Sequence, residues 1–164
     1  GSNPGSTSTG NIPWTSSVIH TWGIVSNGMV SIDANDCAVV ESGVSDVAVE
    51  VTIATVRNYD ALAVRYVDSS NYFRIGWSPN LFVYKIVAGA TIVILSEGSP
   101  VAAFTAGDVF RVEVVGSSWT VKKNGTSVYT FVDAANPTGT KHGLGSASNN
   151  ITAPRWDDFK VYAL

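Results

Sequence analysis

The sequence predicts an all-β fold in which two antiparallel sheets pack face to face. Three observations lead there. From Asp46 to Val132 the chain is a succession of short apolar–polar alternations with the period of a strand, broken by turn signals. β-Branched and aromatic residues dominate these segments, and no stretch places its apolar residues at helical spacing. Asn124-Gly125 stands between two alternating segments, which is the signal of a type I′ hairpin turn, because both central residues need positive φ.

In chain order, Val18 to Val25 reads as a first strand, the turn Ser26-Asn27-Gly28 follows, and Met29 to Ile32 is its partner. Asn35-Asp36 marks a turn before a short strand, Cys37 to Val40. In Val47 to Ala54, Val47, Val49, Val51 and Ile53 face one way while Glu50 and Thr52 face the other. Strands follow at Leu62 to Val67, Tyr72 to Trp77, Leu81 to Ile86 and Thr91 to Leu95. Gly107-Asp108 opens Val109 to Val115, and the Asn124-Gly125 hairpin joins Trp119–Lys123 to Thr126–Phe131. A short strand near Gly143–Gly145 and a last one from Trp156 to Ala163 complete the series. About a dozen strands, each with one apolar face to bury, fit a jelly-roll sandwich better than an immunoglobulin one, which has fewer strands and a Cys–Trp–Cys spacing absent here.

The 164 residues suffice for one domain. Gly1-Ser2 reads as a cloning remnant and residues 3–13 have linker composition, so the domain is expected over residues 14–164, as a module of a longer protein. Only 14% of residues are charged and the net charge is −3, with no Lys/Arg run, which excludes the electrostatic footprint of nucleic-acid binding. No apolar run is long enough for a membrane-spanning helix. Cys37 is the single cysteine, so a C-x-x-C site and an intramolecular disulfide are both excluded.

An ordered set of short pieces carries a resemblance: Trp22-Gly23, Asp46 with its valine-rich strand, Ala63–Arg65 with Asp68–Tyr72, Leu81–Lys85, Gly107–Val112, Val121–Gly125, Gly143–Gly145 and Trp156–Phe159. Together they resemble the laminin-G/concanavalin A-like jelly-roll superfamily over residues 22–161, and most of all the modules of phage virion proteins such as the minor tail proteins of phages that infect actinobacteria. The resemblance implies a two-sheet antiparallel jelly roll that binds glycans or cell-envelope surfaces, or that serves structurally on a particle. It implies a location on a virion surface or otherwise outside cells. Similar modules in secreted bacterial proteins leave a third alternative, a carbohydrate-binding module. The superfamily also implies that calcium could tie a terminal loop to the opposite sheet, with Asp157 and Asp158 as local carboxylates and Asp33, Asn35 and Asp36 as further oxygen donors.

Some relatives are glycoside hydrolases, which need two carboxylates roughly 5–5.5 Å apart for retaining chemistry. The strand expected to carry them, Asp46–Thr52, has the single mid-strand acid Glu50, so no catalytic residue is assigned and the chain is not expected to be an enzyme. No nucleophile elbow, zinc-protease motif or phosphate loop occurs. Glu50, Arg65, Tyr72, Arg74, Trp77 and Lys85 are the candidate ligand-binding residues, since sugars take flat aromatic rings against their C–H faces and charged groups on their hydroxyls. Trp77 is expected to be exposed because Ser78-Pro79-Asn80 follows it. The opposing expectation is that alternating Glu and Arg make cross-strand pairs and that tryptophans go to the core.

Overall fold

The computed structural model describes the strands Thr15–Ser16 (β1), Trp22–Val25 (β2) and Gly28–Ser31 (β3), then residues 36–146 and 155–164. The further strands are Asp36–Glu41 (β4), Val47–Ile53 (β5), Asp60–Asp68 (β6), Asn71–Trp77 (β7), Leu81–Val87 (β8), Ala90–Leu95 (β9), Val109–Val115 (β10), Ser118–Lys123 (β11), Thr126–Val132 (β12), Lys141–Ser146 (β13) and Trp156–Ala163 (β14). The expected linker 1–13, Asp33, Asn35 and the Ser26–Asn27 turn lie outside the described residues.

Two seven-stranded sheets form the sandwich, one ordered β1-β4-β13-β6-β7-β8-β9 and the other β12-β11-β10-β5-β14-β3-β2. Every strand pairing within them is antiparallel. The chain is an all-β, two-sheet antiparallel jelly roll, and no helix occurs among the described residues.

Strand alternation builds the core. Val47, Val49, Val51 and Ile53 of β5 meet Phe110, Val112 and Val114 of β10, and Trp119 and Val121 of β11, on the inner face of one sheet. From the other sheet come Leu62 and Val64 of β6, Phe73, Ile75 and Trp77 of β7, Leu81 and Val83 of β8, and Leu144 of β13. Phe73 lies 4.2 Å, centroid to centroid, from Trp119, so aromatic contact joins the layers directly. The Asn124-Gly125 hairpin has φ of 50° and 80°, the geometry a type I′ turn requires.

Three polar devices hold the interior. Asp60 and Arg155 are fully buried and paired at 3.1 Å, with Ser146 joined to both. Burial pushes the Asp60 carboxyl up to about 7, against the pull of Arg155, Ser146, Arg57 and Arg74. His142 accepts the Arg65 N–H on Nδ1 at 3.1 Å and bonds the Val44 carbonyl through Nε2 at 3.0 Å. This holds a bulge in β6 where Arg65 takes a φ of +48°. Lys85 reaches across the sandwich to Asp133 at 2.6 Å.

Strand β9 ends its sheet, and its residues Ile92 and Val93, on opposite faces, are 45% and 56% exposed.

Candidate functional site: the outer face of the β6–β7–β8 sheet

Register places the residues that point away from the core on this sheet. One row runs Val39, Gly143, Ala63, Arg74, Tyr84, Val93 across β4, β13, β6, β7, β8 and β9. The next runs Cys37, Gly145, Ala61, Gly76, Phe82. The middle of the face is therefore a floor of glycine and alanine, buried between larger neighbours. Two of these glycines are forced by close backbone approach: a Cβ on Gly143 would stand 1.8 Å from the Ala38 carbonyl oxygen, and one on Gly76 would stand 2.0 Å from that of Asp60.

Aromatic side chains border the floor on both sides. Tyr66 and Tyr72 pack with ring centroids 5.4 Å apart. Opposite them Phe82 stacks on Tyr84 at 4.6 Å and meets Tyr59 at 6.0 Å. Glu97 is gripped by both tyrosines: Tyr84 donates its hydroxyl to one carboxylate oxygen, and Tyr59 donates to the other at 3.2 Å. The Tyr84 hydrogen bond is the main reason that the Glu97 carboxyl titrates below its ordinary range. Burial, then the bond to Glu97, pushes the Tyr84 hydroxyl upward, and burial does the same for Tyr72. Arg74 donates from Nη2 to the Tyr59 carbonyl at 2.7 Å, while its buried Nε–H has no partner. Tyr66 itself is buried, and the result is a strip of the Tyr59, Tyr72 and Tyr84 rings with the Arg74 guanidinium and the Glu97 carboxylate among them, these five half-exposed or at the surface.

Of the residues singled out from the sequence, Tyr72 and Arg74 lie on this face. The others do not, and each departs for a physical reason. Trp77 is 0% exposed, because it shares the parity of Phe73 and Ile75; its ring meets Phe110 edge-on at 5.2 Å, so the expectation that it is an exposed platform is corrected. Arg65 is 1% exposed: it donates to the Ser45 carbonyl at 3.0 Å, pairs with Asp46 at 2.9 Å and lies 5.4 Å over the Trp119 ring, so it locks the β6 bulge rather than facing solvent. Lys85 has the inner parity of its partner Phe73 and ties the two layers through Asp133. Glu50 belongs to the opposite sheet. There it pairs with Arg111 at 3.1 Å in a ladder that continues through Glu113 to Lys122, at 2.8 Å each. Tyr59, Tyr84 and Glu97 were missed. Tyr84 had a readable signal, since it stands directly opposite Arg74 in the β7–β8 register, but both faces of Leu81–Ile86 are apolar and hide the parity.

Asp157 and Asp158 are exposed on β14, at an irregularity where Asp158 has φ of +52° and its N–H bonds Asp157. Among the described residues no group of three or more His, Cys, Asp or Glu could hold a metal ion.

No family model matches the chain, and the comparison with curated proteins found no match. Solved structures do share the fold. The carbohydrate-binding module CBM66 from Bacillus subtilis superposes with a TM-score of 0.65 at 17% identity, over 92% of this chain and 95% of that one. Domain 4 of AbnA, an extracellular GH43 arabinanase from Geobacillus stearothermophilus solved with arabinotriose, gives 0.55 at 16% identity, over 98% and 87%. A candidate glycosyl hydrolase from Parabacteroides distasonis gives 0.52 at 12% identity, over 88% and 90%. At these identities the likeness is one of architecture, the two-sheet jelly-roll sandwich.

Proposed function

We propose that this chain is a non-catalytic glycan-binding module whose ligand lies on the outer face of the β6–β7–β8 sheet. The observation that carries the reading is the strip of Tyr59, Tyr84 and Tyr72 with Arg74 and Glu97 among the rings. Tyrosine rings offer flat apolar area to sugar C–H groups, and the guanidinium and carboxylate supply a donor and an acceptor for hydroxyls. The fold shared with CBM66 and with the arabinanase domain supports the same reading. Against catalysis stands the state of the acids: Glu50 and Glu113 are both held by Arg111, and Glu97 by two tyrosine hydroxyls.

The sequence resemblance carries the larger setting of the proposal. The module belongs to a phage virion protein and adheres to host-surface glycans from the particle, where many tethered copies turn weak single-site binding into avidity. A second reading, a module of a secreted bacterial protein, is supported by the extracellular enzyme that shares the fold. Both place the ligand outside cells. Calcium held by Asp157 and Asp158, with Asp33, Asn35 and Asp36 as further oxygen donors, is the metal part of the same proposal.

A glycan array and pull-down on intact bacterial cells test the core claim. The wild-type module should be retained, and Tyr84→Ala and Arg74→Ala should each weaken retention at least tenfold while Lys122→Ala on the other sheet leaves it unchanged. Equal retention of all four proteins, or none by the wild type, removes the assignment. Melting with and without EDTA checks calcium; an unchanged midpoint discards it.

A further inference from the structure

Two of the long strands carry no charge. Every other described strand of at least six residues holds an Asp, Glu, Lys or Arg, but β9, with 6 residues, and β12, with 7, hold none. These two are also sheet edges, β9 in one layer and β12 in the other. They lie on the same flank of the sandwich. Phe73 on β7 meets Phe131 of β12 at 6.4 Å, and Lys85 on β8, the strand beside β9, pairs with Asp133 directly after β12. The edges of the opposite flank, β1 and β2, are only 2 and 4 residues long.

An edge strand presents a row of amide and carbonyl groups that a further strand can join, and proteins that stay apart blunt it with lysine, proline or brevity. This flank uses none of the three. Among the described residues nothing pairs with the free side of either edge. Ile92, Val93 and Val132 are exposed there, and Ile94, Leu95 and Phe131 are only partly buried behind them. A single peptide strand could cover one edge. Covering both at once takes a partner whose own two edges stand at the spacing of packed sheets, roughly 10 Å, and are as long and as free of charge. A second copy of this chain has both.

We propose that the chain dimerises along this flank, β9 against β9 and β12 against β12, about a two-fold axis perpendicular to both layers. Such an axis sets each pair antiparallel and makes the contact self-complementary, so it closes at two copies. Each layer then continues across the axis from one copy into the other. The same axis turns the β6–β7–β8 outer faces of both copies to one side. On the glycan-binding reading that makes a bivalent receptor, while the pairing itself does not rest on that reading.

Sedimentation velocity of the full chain over a hundredfold range of concentration tests the pairing. The wild type should pass from monomer to dimer and stop there. Thr91→Lys on β9 and Thr130→Lys on β12 set like charges against each other across the axis, and each should weaken the dimer at least tenfold. Both positions are exposed, so both variants should keep the wild-type melting temperature. Val67→Lys, at an exposed apolar position at the end of β6, should leave the dimer unchanged. A wild type that stays monomeric throughout, or a dimer that neither edge lysine weakens, would overturn the proposal. Species that keep growing past the dimer would overturn the two-fold axis in favour of head-to-tail assembly. On a glycan-coated surface the wild type should dissociate at least tenfold more slowly than Thr130→Lys, whose change lies on the sheet without the tyrosines. Equal rates from an intact dimer would overturn the shared orientation of the two faces. Failure of both proteins to bind glycan would strike the glycan-binding reading alone, since sedimentation decides the pairing without it.

Discussion

The two outer faces of this sandwich start from the same strand alternation and end in opposite chemistry. On the β5–β10–β11 side, Glu50, Arg111, Glu113 and Lys122 close into a cross-strand ladder, with Lys160 4.0 Å from Glu50 and Arg111 5.0 Å over the Tyr162 ring. Its charges face one another. On the β6–β7–β8 side the floor is glycine and alanine, the borders are aromatic, and Arg74 keeps hydrogen-bonding capacity that nothing in the described chain uses. A face whose polar groups complete each other serves the fold; a face with leftover donors beside flat rings is where a ligand gains most.

Four experiments break or sharpen that contrast. The largest effect is expected from Gly143→Ala, which forces a methyl into the β4 backbone; unfolding in urea should show a loss of at least about 3 kcal/mol, the upper range for overpacking. A loss within a few tenths would mean that the floor is not tightly set.

Acid comes next. Burial lowers the His142 pKa from 6.5 to about 4, so the folded protein holds the ring neutral where the unfolded chain takes up a proton. Its contribution is therefore complete above pH 6.5 and is lost as the pH falls through 4, a total on the order of 3 kcal/mol for that interval. Over the same interval Asp60, with its carboxyl raised to about 7, has the opposite slope: stability falls with rising pH between 3.8 and 7. The two are separated by Asp60→Asn, whose stability should climb more steeply between pH 4 and 6.5 than the wild type does, and by ring-nitrogen NMR shifts of His142, which should stay those of the neutral imidazole until about pH 4. An imidazolium signal at pH 6 would show that the β6 bulge is held some other way.

Smaller still is Tyr84→Phe, which keeps the ring and removes one grip on Glu97; glycan affinity should fall roughly fivefold, about 1 kcal/mol, at unchanged melting temperature. Smallest is Glu113→Gln on the paired face. It breaks two half-exposed bridges and should cost about 0.5 kcal/mol of stability with no change in binding. If Glu113→Gln weakens binding more than Tyr84→Phe does, the roles of the two faces have been exchanged.

Much of the architecture was readable from local pattern. The final strand Trp156–Ala163 and the Asn124-Gly125 hairpin fall where alternation and turn chemistry put them. The site was harder, because a strand's periodicity says which residues share a side and not which strand lies beside it. Glu50 and Arg74 look alike in sequence but sit in different sheets, a fact fixed only by long-range pairing of β5 with β10 and β14. Trp77 could have been assigned correctly: its parity with Phe73 and Ile75 outweighs the polar turn that follows it. Arg65 could not, since the bulge pinned by His142 resets the parity of β6 midway.

The bare border formed by Ala90–Leu95 bears on how densely such molecules can be crowded. It has no lysine, glutamate or proline to repel a neighbouring copy, and its unpaired amides invite an added strand. Copies arrayed side by side on a common support would tend to knit together there. Ile92 lies on the side away from Tyr84, so a lysine at that position would keep neighbours apart without disturbing the tyrosine strip.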